Sequence, residues 1–349
     1  MKSRDEMIGF CRESLGLSES VSIGFSPLAG RGSDRTFFRL KWDRESSTIL
    51  VHYDPKRVEN TYYAEIAAFL REIDIPAPRV IRHDPAACLI LMDDLGDADL
   101  WSFRETSWEN RRPLYQKTLT ILHRLHSFPE KDFPSGRVKL MESFGRDLYR
   151  WERDYFREHF AGNVCGIKRE PTFERELESE LSALGERLSG TRRCLVHRDL
   201  QSQNVMIRDG EPFFIDFQGM RFGSPFYDLG SLLCDPYVAF DDRERDELLF
   251  FYYGLSKREL AWAGFRNSFW EASAQRLMQA LGAYGFLGLR KGLKAFLEHI
   301  PAGLRNLHRA SAQAASLPLL RELSLSCQRA IEQKQKGRDL EATSHPPKS

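Results

Sequence analysis

The sequence predicts an α+β protein in two lobes, a small antiparallel-sheet front lobe and a larger, mostly helical rear lobe. Three observations predict it. The first ninety-odd residues are strand-rich, the residues beyond 100 follow helical periodicity, and one β-rich island, 193–217, interrupts the helices. The acidic, glycine-bearing end of "CLILMDDLGDADL" marks the expected boundary. It divides the chain into a front lobe over 1–95, a rear lobe over 96–334 and a disordered tail over 335–349, where polar and proline residues dominate.

The elements follow in order. "MKSRDEMIGFCRESLG" reads as an amphipathic helix without the apolar core of a signal peptide. "VSIGFSPLAG" and "RTFFRLKW" alternate apolar and polar residues about a glycine-bearing turn, and "STILVHYD" is a third strand, so the three form a meander. "NTYYAEIAAFLREID" places Tyr62, Ile66, Phe69 and Leu70 at helical spacing. The prolines of "IPAPRVI" end that helix, because proline cannot continue one and biases its predecessor toward extended backbone. In "RRPLYQKTLTILHRLHSF", Tyr115, Leu119, Leu122 and Leu125 share one helical face. Further helices are expected at 139–160, 172–189, 226–239, 243–253, 256–264, 267–285, 288–298 and 301–333.

Composition narrows the function. With 349 residues and 42% hydrophobic residues the chain can build a full core, and its net charge of +1 gives no long-range attraction to nucleic acid or an anionic membrane. No run of about 18 apolar residues offers a spanning helix. The six cysteines are scattered, without a CxxC pair, and read as reduced thiols of a cytoplasmic protein.

The island, "CLVHRDLQSQNVMIRDGEPFFIDFQG", carries the chemistry. Two apolar runs, Val205–Ile207 and Phe213–Ile215, are joined by Asp209-Gly210, a dipeptide suited to a tight hairpin turn. A hairpin brings its ends together, so Asn204 at its entry and Asp216 at its exit are expected to be neighbours, with Asp199 close by. One carboxylate and one carboxamide suit zinc poorly. They form a reasonable partial shell for Mg²⁺, which fills its other positions with water and phosphate oxygens. Asp199 could then take a proton from an attacking hydroxyl. Taken singly, each of the three reads equally as a turn-capping residue. Together they spell the phosphoryl-transfer pattern of His-x-Asp-x4-Asn followed by an aspartate after the next strand.

These segments, with "GRGSDRTFFRL", "FIDFQGMRFGSPFYDLGSLLCDPY" and "FWEASAQRLMQALGAYGFL", resemble the aminoglycoside/choline phosphotransferases, relatives of the protein kinases. Within that group they are most similar to the bacterial anomeric sugar kinases that act on N-acetylmuramate and N-acetylglucosamine in cell-wall recycling. The resemblance implies a protein-kinase-like fold, ATP and Mg²⁺ as cofactors, Asp199 as catalytic base, and Asn204 and Asp216 as metal ligands. It implies structural roles for His197 and Arg198, and for Asp228 an anchoring role; capping of a helix N-terminus is the alternative for Asp228. It also implies adenine recognition along Met92, Asp93 and Asp94.

In the front lobe, Gly30 and Gly32 sit in a turn where backbone amides could approach phosphates, with Ser33 and Arg35 as further contacts; a plain hairpin turn is the alternative. Glu65 matches the helix glutamate that kinase-like lobes pair with a third-strand lysine. That lysine is absent, and His52 stands where a cation would be expected. Arg35 or Arg39 could supply the charge, or either could be structural.

Asp216 and Asp228 are only twelve positions apart, too close for a peptide-docking segment between them, so a small-molecule acceptor is expected. Trp270 could stack against a sugar, and Gln275 and Arg276 could meet its polar groups; core packing is the alternative for all three. An aminoglycoside- or choline-type kinase and a non-catalytic nucleotide-binding module remain the competing readings.

Overall fold

The first five strands form one antiparallel sheet in which the third strand is central and buried. These are β1 (Gly24–Leu28), β2 (Thr36–Lys41), β3 (Ser47–His52), β4 (Val80–Asp84) and β5 (Leu89–Asp93), in the order β1-β2-β3-β5-β4. The structure is a computed structural model that describes residues 2–28, 35–258 and 260–344, the last eight by backbone alone.

The alternation of side chains along a strand decides what each face of the sheet does. Phe38, Leu40, Leu50, Leu89 and Leu91 point to one face, where they pack with Met7 and Cys11 of helix α1 (Arg4–Leu15). A reciprocal Ser3–Glu6 capping box starts that helix. The opposite face carries Phe37, Val51, Tyr53 and Ile90 toward Asn60 and Tyr63 of helix α2 (Val58–Glu72). Register agrees, since Val51 lies between Phe37 and Ile90. His52 has the parity of Leu50 and so belongs to the α1 face.

The chain folds into two compact units, 1–142 with 197–221, and 143–196 with 222–349. This differs from the expected division at residue 95. The first unit also holds α3 (Trp108–His126), which buries Tyr115, Leu119, Leu122 and Leu125 as its periodicity predicts. It also holds the island hairpin, because the hairpin is hydrogen-bonded into it: Phe214 donates to the Pro76 carbonyl (2.9 Å) and Ile207 to that of Ala98 (2.8 Å).

The second unit is mostly helical: α4 (Arg146–Phe156), α5 (Pro171–Ser189), α6 (Pro225–Leu233), α7 (Asp242–Leu255), α8 (Trp262–Gly285), α9 (Ile300–Gln313) and α10 (Pro318–Ser344). α4 continues as a π-helix over Arg157–Cys165. The expected helix 267–285 is α8, which starts at Trp262 and so takes in only 262–264 of the helix expected over 256–264, while the expected helix 301–333 is two, because Pro318 cannot continue α9. α10 is helical through Ser344, past the start of the expected disordered tail; the Gln, Lys, Arg, Leu and Glu residues there are good helix formers. α8 is buried on nearly every side, and α6 approaches it closely: a Cβ on Gly230 would lie 2.9 Å from the Ser273 Cα.

Among the described residues no helix is long and apolar enough to cross a membrane, and none of the six cysteines forms a disulfide.

Candidate active site

The island is a short buried strand, a polar loop and a hairpin. Strand β6 (Cys194–Val196) is fully buried and delivers the chain to His197. The imidazole is 1% exposed, and its Nε2 donates to the Ile215 carbonyl (2.9 Å), while its ring meets Phe214 edge-on. His197 therefore ties the loop that begins the motif to the strand that ends it. Arg198 takes a left-handed backbone (φ +80°), lays its side chain against Gly219 and donates to Asp199 Oδ2 (2.9 Å). The Gly219 position leaves little room for a side chain, since a Cβ there would stand 3.2 Å from Arg198 Cδ.

Asp199 keeps 26% of its side-chain surface open. A single 3₁₀ turn, Ser202–Asn204, then folds the chain back so that the Asn204 Nδ2 donates to the Asp199 carbonyl (2.8 Å). This bond holds the amide nitrogen on the loop backbone. Strands β7 (Val205–Arg208) and β8 (Glu211–Phe214) pair antiparallel about Asp209 and Gly210, both left-handed (φ +54° and +75°), which is the tight turn the dipeptide predicts. The Ile215 N–H closes the hairpin onto the Asn204 carbonyl (3.0 Å), so Asn204 lies beside the backbone that leads into Asp216.

Asp216 itself is left-handed (φ +63°) and begins the 3₁₀ turn Phe217–Gly219. Its Oδ1 accepts from Gln218 Nε2 (3.0 Å) and, in an ion pair, from Arg35 Nη2. Arg35 Nη1 donates to Gln218 Oε1 (3.0 Å), which closes a three-residue ring. Burial by itself would raise the Asp216 pKa, and nearby Asp199 pushes the same way; the Arg35 charge, with hydrogen bonds from Arg35 and Gln218, outweighs both and holds the carboxyl below the ordinary carboxylate value. Phe217 is fully buried and stacks on Tyr63 of α2 (centroids 4.6 Å apart), whose hydroxyl contacts Met92 Sδ (3.3 Å). That stack anchors the turn that presents Asp216.

Asp199, Asn204 and Asp216 lie together, as the hairpin spacing predicts, and the fold adds Arg35, Gln218, Tyr63 and Phe217 around them. Gln218 was readable in principle, since it follows Asp216 by two residues and a turn there must point it back at the carboxylate. Tyr63 was missed by one helical position: α2 turns Asn60, Tyr63, Ile66 and Ala67 inward. The same phase leaves Glu65 exposed, so it does not supply the partner that kinase-like lobes place on this helix. Val51, not His52, is the third-strand residue lining the shallow pocket beside Arg35 and Tyr63, which has space for about one water molecule. Arg39 is engaged elsewhere, with Asp94 (2.7 Å) and Asp97 (2.7 Å). Asp94 also accepts from Ser47 (2.8 Å) and Asp93 pairs weakly with Arg79 (3.3 Å), so both carboxylates brace the end of β5; Met92 is buried. Gly30, Gly32 and Ser33 lie outside the described residues.

The remaining expected residues belong to the second unit. Asp228 is completely buried on α6 and is not its N-cap, which is Ser224. Trp270, Gln275 and Arg276, read as either acceptor contacts or core residues, are buried along α8, 2%, 0% and 4% exposed, as the core alternative has it. Gln275 donates to the Tyr149 carbonyl (3.2 Å) and to Glu152 (2.9 Å), and Arg276 donates to Ser231 (2.6 Å) and Gln279. α8 has almost no solvent-facing side, so its polar residues serve other helices.

The donor set suits a hard cation. Asp216 and Asn204 offer oxygen ligands, and Asp216 already attracts a cationic group; no group of three or more His, Cys, Asp or Glu that could hold a metal occurs among the described residues, so water and phosphate oxygens would complete such a shell.

Residues 24–266 match the family model described as the phosphotransferase enzyme family. The chain is similar to the N-acetylmuramate/N-acetylglucosamine kinase of Neisseria meningitidis serogroup B, 26% identical over 291 residues, covering 81% of this chain and 84% of that protein. It is also similar to the kinase of the same name from Pseudomonas aeruginosa, 23% identical over 335 residues, covering 88% and 89%. Among solved structures, a choline/ethanolamine kinase family protein from Mesorhizobium loti superposes with a TM-score of 0.59 at 16% identity, covering 90% of this chain and 99% of the other. The ADP-bound aminoglycoside phosphotransferase APH(2'')-Ib gives 0.58 at 14% identity, covering 91% and 99%. The kinase-like α+β fold and the match over most of its length lead to one assignment: the chain belongs to the phosphotransferase enzyme family.

Proposed function

We propose that this phosphotransferase is an ATP-dependent kinase of a small-molecule hydroxyl, and that its acceptor is the anomeric hydroxyl of an N-acetylated amino sugar, N-acetylglucosamine or N-acetylmuramate. The observation that carries the kinase reading is the Asp199–Asn204–Asp216 cradle, in which one hydrogen-bonded loop holds a partly open carboxylate beside a cation-attracting one. The acceptor is inferred from the names of the relatives, which cover more than four-fifths of this chain in the two cases above.

Asp216 and Asn204 would hold Mg²⁺, which when bound neutralises phosphate charge. Asp199 orients the sugar hydroxyl and accepts its proton as the oxygen attacks the γ-phosphorus. The bond from that phosphorus to the β,γ-bridging oxygen breaks, ADP departs, and the proton stays on Asp199 until water removes it. An anomeric hydroxyl is more acidic than an ordinary alcohol, so a carboxylate is a sufficient base. His197 and the Asn204 amide keep the loop in register throughout, and Asp228 is proposed to support it.

ADP release tests the reading. Turnover with N-acetylglucosamine or N-acetylmuramate, giving a product whose phosphorus signal couples to the anomeric proton, is the expected result. Turnover confined to aminoglycosides or choline would replace the acceptor and keep the kinase. Nucleotide binding without turnover on any acceptor would make the chain a regulatory module.

A further inference from the structure

We propose that Arg35 is an internal counter-ion for the metal site: in the nucleotide-free protein its guanidinium occupies the Asp216 carboxylate, and it yields that place when a nucleotide arrives with its own cation. The inference rests on the kinase reading and extends it to the order in which the site fills.

Asp216 Oδ1 is the acceptor for both Arg35 Nη2 and Gln218 Nε2, and the second Arg35 nitrogen binds the Gln218 carbonyl oxygen. The guanidinium is thus gripped as a fork by two side chains of the metal loop. The Arg35 side chain is 10% exposed and lies over the Phe37 ring (5.5 Å), so it is held where little water screens it. The nearby arginine of β2, Arg39, is committed to Asp94 and Asp97, and the third strand presents Val51 to this space. Arg35 therefore does alone what an inward-facing third-strand lysine would do, but from a position directly on the metal carboxylate.

Two consequences follow from charge. A divalent ion arriving by itself must displace a guanidinium from Asp216 and meets its repulsion, so metal binds poorly without nucleotide. A nucleotide brings phosphate oxygens to which the displaced Arg35 can turn, so metal and nucleotide favour each other's binding by the same factor.

The experiment measures Mn²⁺ binding to the full chain without nucleotide, from the paramagnetic signal of the free ion, and Mg²⁺-dependent ADP binding by calorimetry. Arg35→Gln is expected to tighten Mn²⁺ alone about tenfold or more, as loss of a neighbouring positive charge requires. It is also expected to weaken ADP in the presence of Mg²⁺ and to shrink the mutual enhancement. Asp216→Asn placed on top of Arg35→Gln is expected to erase the gain. Arg35→Lys keeps the charge without the fork and is expected to give a smaller gain; it stands in should the glutamine variant fail to fold. Unchanged or weaker Mn²⁺ binding in a folded Arg35 variant would overturn the proposal. If the unaltered protein binds no ADP with Mg²⁺, the kinase reading falls; if it binds ADP while the Arg35 variants leave Mn²⁺ affinity unmoved, only the counter-ion role falls.

Discussion

The island around Asp216 and the core of α8 both carry polar residues among apolar ones, and they use them in opposite ways. On the island, Asp199 and Asp216 keep 26% and 31% of their side-chain surface open, and Asp216 draws in a cation from the segment just before β2. On α8, Gln275 and Arg276 are shut inside the unit and bonded to Tyr149, Glu152, Ser231 and Gln279. A buried polar group has to find partners, and most find them in structure. The sign of a chemical role is a polar group that is positioned by its neighbours and still open to a ligand.

Substitutions sharpen that contrast. The largest effect is expected from Asp199→Asn, which should lower turnover at least about a hundredfold, the scale of a positioned acid–base group, while thermal unfolding stays within a few degrees of the unaltered protein. A retained rate would remove Asp199 from the chemistry. Next is Gly230→Ala: its Cβ would meet the Ser273 backbone at 2.9 Å, and overpacking of this kind costs about 1–3 kcal/mol. Gln275→Ala should cost a similar ~1–3 kcal/mol, because Glu152, which Tyr227 also reaches (2.7 Å), loses a buried partner. Urea titration would read both losses, and the fraction still folded should keep its nucleotide affinity. A selective loss of sugar affinity in Gln275→Ala without loss of stability would return that residue to the acceptor site. Tyr63→Phe keeps the stack on Phe217 and loses only the contact to Met92, so it should change ADP binding less than threefold, whereas Tyr63→Ala should weaken it further by loosening the turn that carries Asp216. The smallest effect is expected from Glu65→Gln, within twofold in rate; a large loss there would restore the helix glutamate to the site.

Local patterns made much of this legible. The Asp209-Gly210 turn, the His-x-Asp-x4-Asn spacing and the alternation in the front strands each involve residues a few positions apart, and a hairpin leaves their ends only one arrangement. Legibility failed where the phase of an element mattered. Tyr62 and Tyr63 are equally apolar, and only packing against Phe217 selects the second. His52 and Val51 differ by one residue, yet that step moves a side chain to the other face of the sheet. On α8 the pattern could not reveal that nearly every side is covered, because burial of a whole helix depends on its neighbours.

The order of residues alone determined that a carboxylate, a carboxamide and a second carboxylate would gather at the mouth of one hairpin, since chain connectivity and turn geometry bring them there. Only the tertiary structure decided that Arg35 would answer the missing lysine, that Glu65 would face water and that Gln275 and Arg276 would brace a core. Those outcomes depend on which surfaces are pressed together, for Arg35 and Gln275 across more than a hundred residues of chain, where electrostatic attraction and packing act between groups that no local spacing relates.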